Sequence, residues 1–234
     1  MPEAQSPAGA PPLKPHNEDP PVKWTPAQGR PTRAVRDYRE HFDVDRYGSF
    51  RLTAAIRPSV DLKVVPRQGY RVETYRDPST GVEIPMIAAS ASKEILFDVL
   101  LELLDAMGEV VDVVVESHHE RRRPGDASKD YLREHIDLPV LKSYLEEFRD
   151  VLMDDGCLGL AVVDPAGPSE VQFDDHKVLV VYARNLAPFQ EALERWGVER
   201  DDSLQLISEA EHLHSTRPTF TERVEALCIT LSAE

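Results

Sequence analysis

At 234 residues with 41% apolar side chains, the chain is long enough to bury one large core or two small ones. No run approaches the roughly 20 apolar residues that span a bilayer, and Met1-Pro2-Glu3-Ala4 lacks the basic start and apolar segment of a secretory leader. A net charge of −15 argues against nucleic acid as a partner, because phosphate contacts need clustered lysine and arginine.

Cys157 and Cys228 lie in apolar runs without metal-ligand spacing, so they read as buried free thiols in a reducing compartment, and the expected location is the cytoplasm. Charge is unevenly spread along the chain. Residues 30–76 hold eleven basic and six acidic residues, whereas 77–234 hold fourteen and thirty-three, so the two parts should attract. Arginine supplies 20 of the 27 cations, which suits bidentate pairing.

In chain order, residues 1–33 read as a disordered proline-rich arm. Nine of the nineteen prolines fall within 1–31, and there is too little branched apolar surface to offset chain entropy. Trp24 is a candidate anchor of that arm onto a folded surface, with a chance occurrence the alternative. Residues 34–91 read as an antiparallel meander, with short strands over 50–56, 60–65, 70–75 and 82–88 punctuated by Pro58, Pro66-Arg67-Gln68-Gly69 and Asp77-Pro78-Ser79-Thr80-Gly81.

The stretch from Ser92 to His118 organises the rest. Glu94, Asp98, Glu102, Asp105 and Glu109 recur every three or four residues as one acidic ridge, and the positions between them are apolar. This predicts a central helix covered on more than one side. Gly108 stands where a left-handed stop is wanted. Val111, Val113 and Val115 then alternate with Asp112, Glu116 and His118, which predicts a strand with one core face.

A polar loop is expected from His118 to Asp137, followed by an amphipathic helix through Val140, Leu141, Tyr144, Leu145, Phe148, Val151 and Leu152. Strands over 157–163 and 177–182 come next, with Glu170–Phe173 read as a backward extension of the second through a break at Asp174-Asp175. A helix from Pro188 to Trp196 and a short strand over 203–207 complete the pattern, and Thr219-x-x-Glu222 forms a capping-box signature before the tail. The fold class is therefore α+β: a meander joined through a central helix to a ferredoxin-like βαββαβ plait over 92–234, with 34–234 compatible with a single domain.

No phosphate loop, nucleophile elbow, Cys-x-x-Cys or His-Glu-x-x-His is present. The best remaining constellation is Glu116, His118 and His119 at the end of the central strand, with Asp112 further back and Asp175 and His176 as a second carboxylate–imidazole set. Such a cluster suits a divalent metal, zinc or manganese. A solvated strand edge explains the same residues, and the Arg121-Arg122-Arg123 run reads first as a solvated loop, with an anion clamp as the alternative. His212-x-His214 converges only on a strand or irregular segment, because on a helix its rings point about 200° apart. Three functions remain open: a non-enzymatic interaction or oligomerisation module, with itself or a protein partner; a small metal-dependent hydrolase built on Glu116, His118 and His119; and a small-ligand sensing regulatory domain.

Overall fold

The computed structural model describes residues 40–119, 129–167 and 169–233. The expected arm with Trp24 and the Arg121-Arg122-Arg123 run lie outside these residues.

Three short strands, β1 (Arg46–Tyr47), β2 (Phe50–Arg51) and β3 (Ile56–Pro58), precede a long hairpin of β4 (Gly69–Arg76) and β5 (Glu83–Ser90). The hairpin turn is built by Asp77, whose carboxylate accepts the N–H groups of Ser79 at 2.7 Å and Thr80 at 2.8 Å, and by Gly81 at φ +71°. This is the local chemistry that aspartate and glycine bring to turns. Residues 60–65, expected as a strand, form none.

Helix α1 (Lys93–Leu104) buries Leu96, Phe97, Val99, Leu100, Leu103 and Leu104 almost completely. Its acidic ridge faces cations from several elements: Glu94 meets Arg46 at 2.6 Å, Glu102 meets Arg195 at 2.6 Å, and Asp105 meets Lys142 at 2.7 Å. Gly108 does not take a positive φ. It sits instead where a side chain would approach the Asp164 carboxylate at 3.3 Å, so the glycine there serves close approach.

Strand β6 (Val110–Ser117) buries Val111, Val113 and Val115 as the alternation requires. The polar stretch that follows, expected as loop, contains an edge strand, β7 (Lys129–Asp137), paired antiparallel to β6 through a shift between Val111 and Val113. His135 stands there at φ +55°, and its N–H donates to the Asp112 carboxylate at 2.7 Å. Helices α2 (Leu138–Glu147) and α3 (Arg149–Asp154) follow, then strands β8 (Leu158–Val163), β9 (Glu170–Phe173) and β10 (Leu179–Tyr182). Helix α4 (Ala187–Arg195), β11 (His212–His214) and helix α5 (Pro218–Leu231) complete the described chain.

The main sheet has seven strands in the order β4-β5-β10-β9-β8-β6-β7, and every neighbouring pair is antiparallel. The fold is mixed α and β, but this arrangement departs from the expected plait: β7 is an added edge strand, and the β4–β5 hairpin joins the same sheet through β10. Residues 203–207, expected as the plait's last strand, lie outside the sheet, and Glu170–Phe173 is a separate strand folded back on β10. The expected capping box is also unmade: the N-cap of α5 is Arg217, two residues before Thr219, with Pro218 in the first turn and no side-chain cap. Pro at that position loses an N–H that has no intrahelical acceptor anyway.

One sheet face packs on the helices through Ile87, Ala89, Val113, Leu160, Val171, Phe173, Leu179 and Val181. Around Ala88, Val178 and Val180 the other face is covered by Phe50, Leu52, Ile56, Leu204 and Leu206. The basic N-terminal segment finds acidic partners within the same chain: Arg71 binds Glu209 at 2.7 Å, and Arg67 binds Asp201. Among the described residues, no helix is long and apolar enough to cross a membrane.

Candidate functional site

The carboxyl ends of β6 and β9 and the amino ends of β8 and β10 lie at the same end of the sheet, because Ser117 pairs with Leu158, Leu160 with Phe173 and Phe173 with Leu179. At this end the Asp174–Lys177 turn links β9 to β10. Asp174 shapes it by accepting the Val178 N–H on its carboxylate at 2.8 Å and the Lys177 N–H on its carbonyl at 3.0 Å. Lys177 takes φ +61°, which a side chain rarely adopts. Its ammonium is buried, donates to the Leu158 carbonyl at 2.7 Å, and is pushed down to about 8 by that burial. The side chain thus pins the turn to β8, a role glycine could not fill.

A two-stranded ribbon crosses the same end. β11 pairs antiparallel with β3, His212 opposite Pro58 and His214 opposite Ile56. On a strand, residues two apart point the same way, so His212 and His214 lie side by side with their Nε2 atoms 3.1 Å apart. Each Nδ1 faces a backbone carbonyl, His212 that of Ala210 and His214 that of Gly156, both at 2.6 Å. A carbonyl only accepts, so both Nδ1 atoms carry the proton and both Nε2 atoms present lone pairs when the rings are neutral.

His176, on the turn above, completes a triangle with ring centroids 4.7 and 4.8 Å from those of His212 and His214. One ligand atom from each of the three lies within 4.8 Å of the others. Asp174, Asp175 and His176 form a second group on the same criterion. The His176 Nδ1 faces Asp174 at 3.1 Å and Asp175 at 2.8 Å. Burial lowers the pKa of this imidazole, but the two carboxylates outweigh it and hold it at about 9. Burial raises the pKa of Asp175, and the surrounding histidines, His176 foremost, bring it down to about 2. For His214, burial outweighs its neighbours and lowers the pKa.

Of the five residues read as ligands from the sequence, Asp175 and His176 belong to these groups, whereas Glu116, His118 and His119 belong to neither. His118 stands next to them, its Nε2 3.4 Å from Asp175 Oδ2. His119 turns the other way and pairs with Asp155 at 2.5 Å. Glu116 lies on the open sheet face opposite Asp130 and Gly159, its pKa raised by partial burial and then by Asp130, Asp175, Glu170 and Asp174.

The chain matches no family model, no curated protein and no solved structure. Two imidazole lone pairs facing each other at 3.1 Å repel unless a proton or a cation stands between them. Ligands of a tetrahedral zinc are separated by about 3.3 Å when Zn–N is about 2.0–2.1 Å, close to the His212–His214 separation, and His176 brings a ligand atom within 4.8 Å of both. Metal-ligating histidines ordinarily donate their second N–H to a carbonyl or carboxylate, which fixes tautomer and ring orientation. All three rings have such an oxygen facing Nδ1.

Proposed function

We propose that the protein binds a divalent transition metal through His176, His212 and His214, and that it is a metal-dependent hydrolase. The observation that carries the reading is the pair of facing Nε2 atoms, each on a ring whose Nδ1 is tied to a carbonyl. Three imidazoles favour zinc over manganese, which prefers oxygen ligands. Three protein ligands leave a fourth position for water, the arrangement of catalytic rather than structural zinc sites. When bound there, zinc would supply a water acidified to a pKa of about 7. Asp175, held ionised 2.8 Å from His176 Nδ1, would accept that N–H and so fix the orientation of the His176 ring toward the metal.

The test is elemental analysis of tag-free protein, followed by zinc competition against a chromophoric chelator. The expected result is one zinc per chain, lost in His212→Ala/His214→Ala with the circular dichroism unchanged. Wild-type protein that takes up no zinc at micromolar concentration sinks the reading.

A second reading, association with another copy or a partner, draws on Ile229, which is 78% exposed on α5 beside β7. Tyr131, Cys228 and Ile229 line a shallow hollow there. Against it, β7 carries Lys129, Asp130, Arg133 and Glu134 and the His135 irregularity, features that discourage edge pairing. Light scattering that shows a dimer in the wild type and a monomer in Ile229→Lys would favour this reading.

A further inference from the structure

We propose that Thr221, His119 and Asp155 form a second centre, apart from the histidine cluster, in which the Thr221 hydroxyl is a nucleophile toward small acyl esters. The three side chains form a continuous hydrogen-bond relay. Asp155 Oδ2 lies 2.5 Å from His119 Nε2, and His119 Nδ1 lies 3.2 Å from Thr221 Oγ1. Burial falls along the relay from inside to outside: the Asp155 side chain is fully buried, that of His119 is 7% exposed, and Thr221 is exposed to solvent.

The directions of the bonds follow from the donors available. Asp155 is held in place by the Cys157 N–H at 3.0 Å and by the Thr216 side chain. Burial pushes its carboxyl up, but these bonds and the one to His119 outweigh burial and keep it below the usual carboxylate range, so it accepts. His119 Nε2 must then carry the ring proton, and with the imidazole neutral its Nδ1 keeps a lone pair. Thr221 consequently donates to Nδ1. A hydroxyl within hydrogen-bond reach of a base, with that base oriented by a buried carboxylate, is the arrangement that activates an alcohol nucleophile. The two ring nitrogens can serve either role, because what matters is which atom each one faces.

The three residues come from separate elements: His119 from the turn after β6, Asp155 from the end of α3, and Thr221 from the fourth position of α5. Near that helix start the peptide dipoles favour negative charge developing beside Thr221.

In the acylation step a bond forms between Thr221 Oγ1 and the acyl carbon, and the hydroxyl proton passes to His119 Nδ1. The ester C–O bond breaks, and the departing alkoxide takes that proton and leaves as an alcohol. Water then attacks the Thr221 ester with His119 again accepting and returning the proton, which yields the acid and the free hydroxyl. No oxidant, reductant or metal enters the balance, so this centre works independently of the zinc reading.

The test uses the full chain, a fluorophosphonate probe and p-nitrophenyl acetate, each with and without a chelator, with peptide mass spectrometry to locate the adduct. The expected result is a covalent adduct on Thr221 that the chelator does not reduce. The labelling rate should fall about 100-fold, the scale of a lost general base, in His119→Gln. The near-isosteric Thr221→Val, which tests the nucleophile without disturbing buried Asp155, should give no adduct. Absence of an adduct on Thr221 in folded wild-type protein overturns the proposal, as does labelling that is unchanged in folded His119→Gln or abolished by the chelator.

Discussion

Gly156→Ala probes the junction that holds the histidine cluster together. A Cβ at this position would be driven into the Ala55 carbonyl oxygen and would stand 2.9 Å from Ser215 N and 3.0 Å from Ser215 O. All three obstacles are backbone, so no side-chain rotation relieves them. Relief requires the β3–β11 ribbon to move away from the α3–β8 turn. Two bonds cross this junction: Gly156 N–H to Ser215 O at 2.8 Å and His214 Nδ1–H to Gly156 O at 2.6 Å. At about 0.5–1.5 kcal/mol each, their disruption costs about 1–3 kcal/mol. For a chain of this size that lowers Tm by roughly 3–10 °C. Because the second bond orients His214, zinc affinity should fall as well. Urea unfolding and a zinc titration on the same preparation measure both effects. A Tm within about 2 °C of wild type together with unchanged zinc binding would refute this account of the junction.

Leu100, fully buried on α1, has no partner for a charge, so Leu100→Asp should cost about 4 kcal/mol or more and yield no cooperative melt. A soluble variant that melts like wild type would remove α1 from the core. The Cys228 thiol, pushed up to about 11 by burial, should resist alkylation in native protein at pH 8 and react promptly in urea, as mass spectrometry can show. Native alkylation as fast as in urea would contradict its burial. Acid should destabilise the fold. Glu94 is held at about 2 chiefly by Ser92, and Asp201 at about 2 chiefly by Ser203 and Arg67. Both pKa values are depressed in the fold, so their contribution is complete above the unfolded values of roughly 4–4.5 and is lost as pH falls toward 2. Each group is well exposed and contributes modestly. Glu94→Gln should therefore flatten Tm between pH 4.5 and 2, and an unaltered profile would show that the pairing with Ser92 and Arg46 is without effect.

The parts of the fold that were legible in the sequence are those whose side chains answer to one local rule. The ridge of Glu94, Glu102 and Asp105 identified α1 because only a helix brings those positions into line, and the ridge meets Arg46, Arg195 and Lys142. The period-two placement of Val111, Val113 and Val115 against a mixed opposite face identified β6, and Asp77-Pro78-Ser79-Thr80-Gly81 identified the turn of the β4–β5 hairpin. Strand β7 escaped because an edge strand facing solvent carries no apolar alternation, and the left-handed His135 breaks its period. The ribbon of β3 and β11 escaped because three residues are too few to show any period. That miss hid the centre of the site. Whether His212 and His214 converge depends wholly on whether they stand on a helix or a strand, and only the pairing with Ile56–Pro58 decides it. His118 and Asp175 were within reach of sequence reasoning, since both end strands of one sheet. The approach of Asp175 to His214, 3.8 Å from Oδ2 to Nδ1, was not.

The ribbon of β3 and β11 also fixes when the site can come into being. Pro58 and His212 are direct neighbours although more than 150 residues separate them along the chain. Closing so long a loop is entropically costly only once, since the cost grows with the logarithm of length, but it is kinetically remote from the local contacts that form first. During refolding the sheet can assemble through neighbouring hairpins such as β4–β5 and β9–β10 before the two ends of the chain meet. Affinity for metal should therefore emerge in the last kinetic phase, behind secondary structure, and zinc present from the start would act chiefly by slowing unfolding.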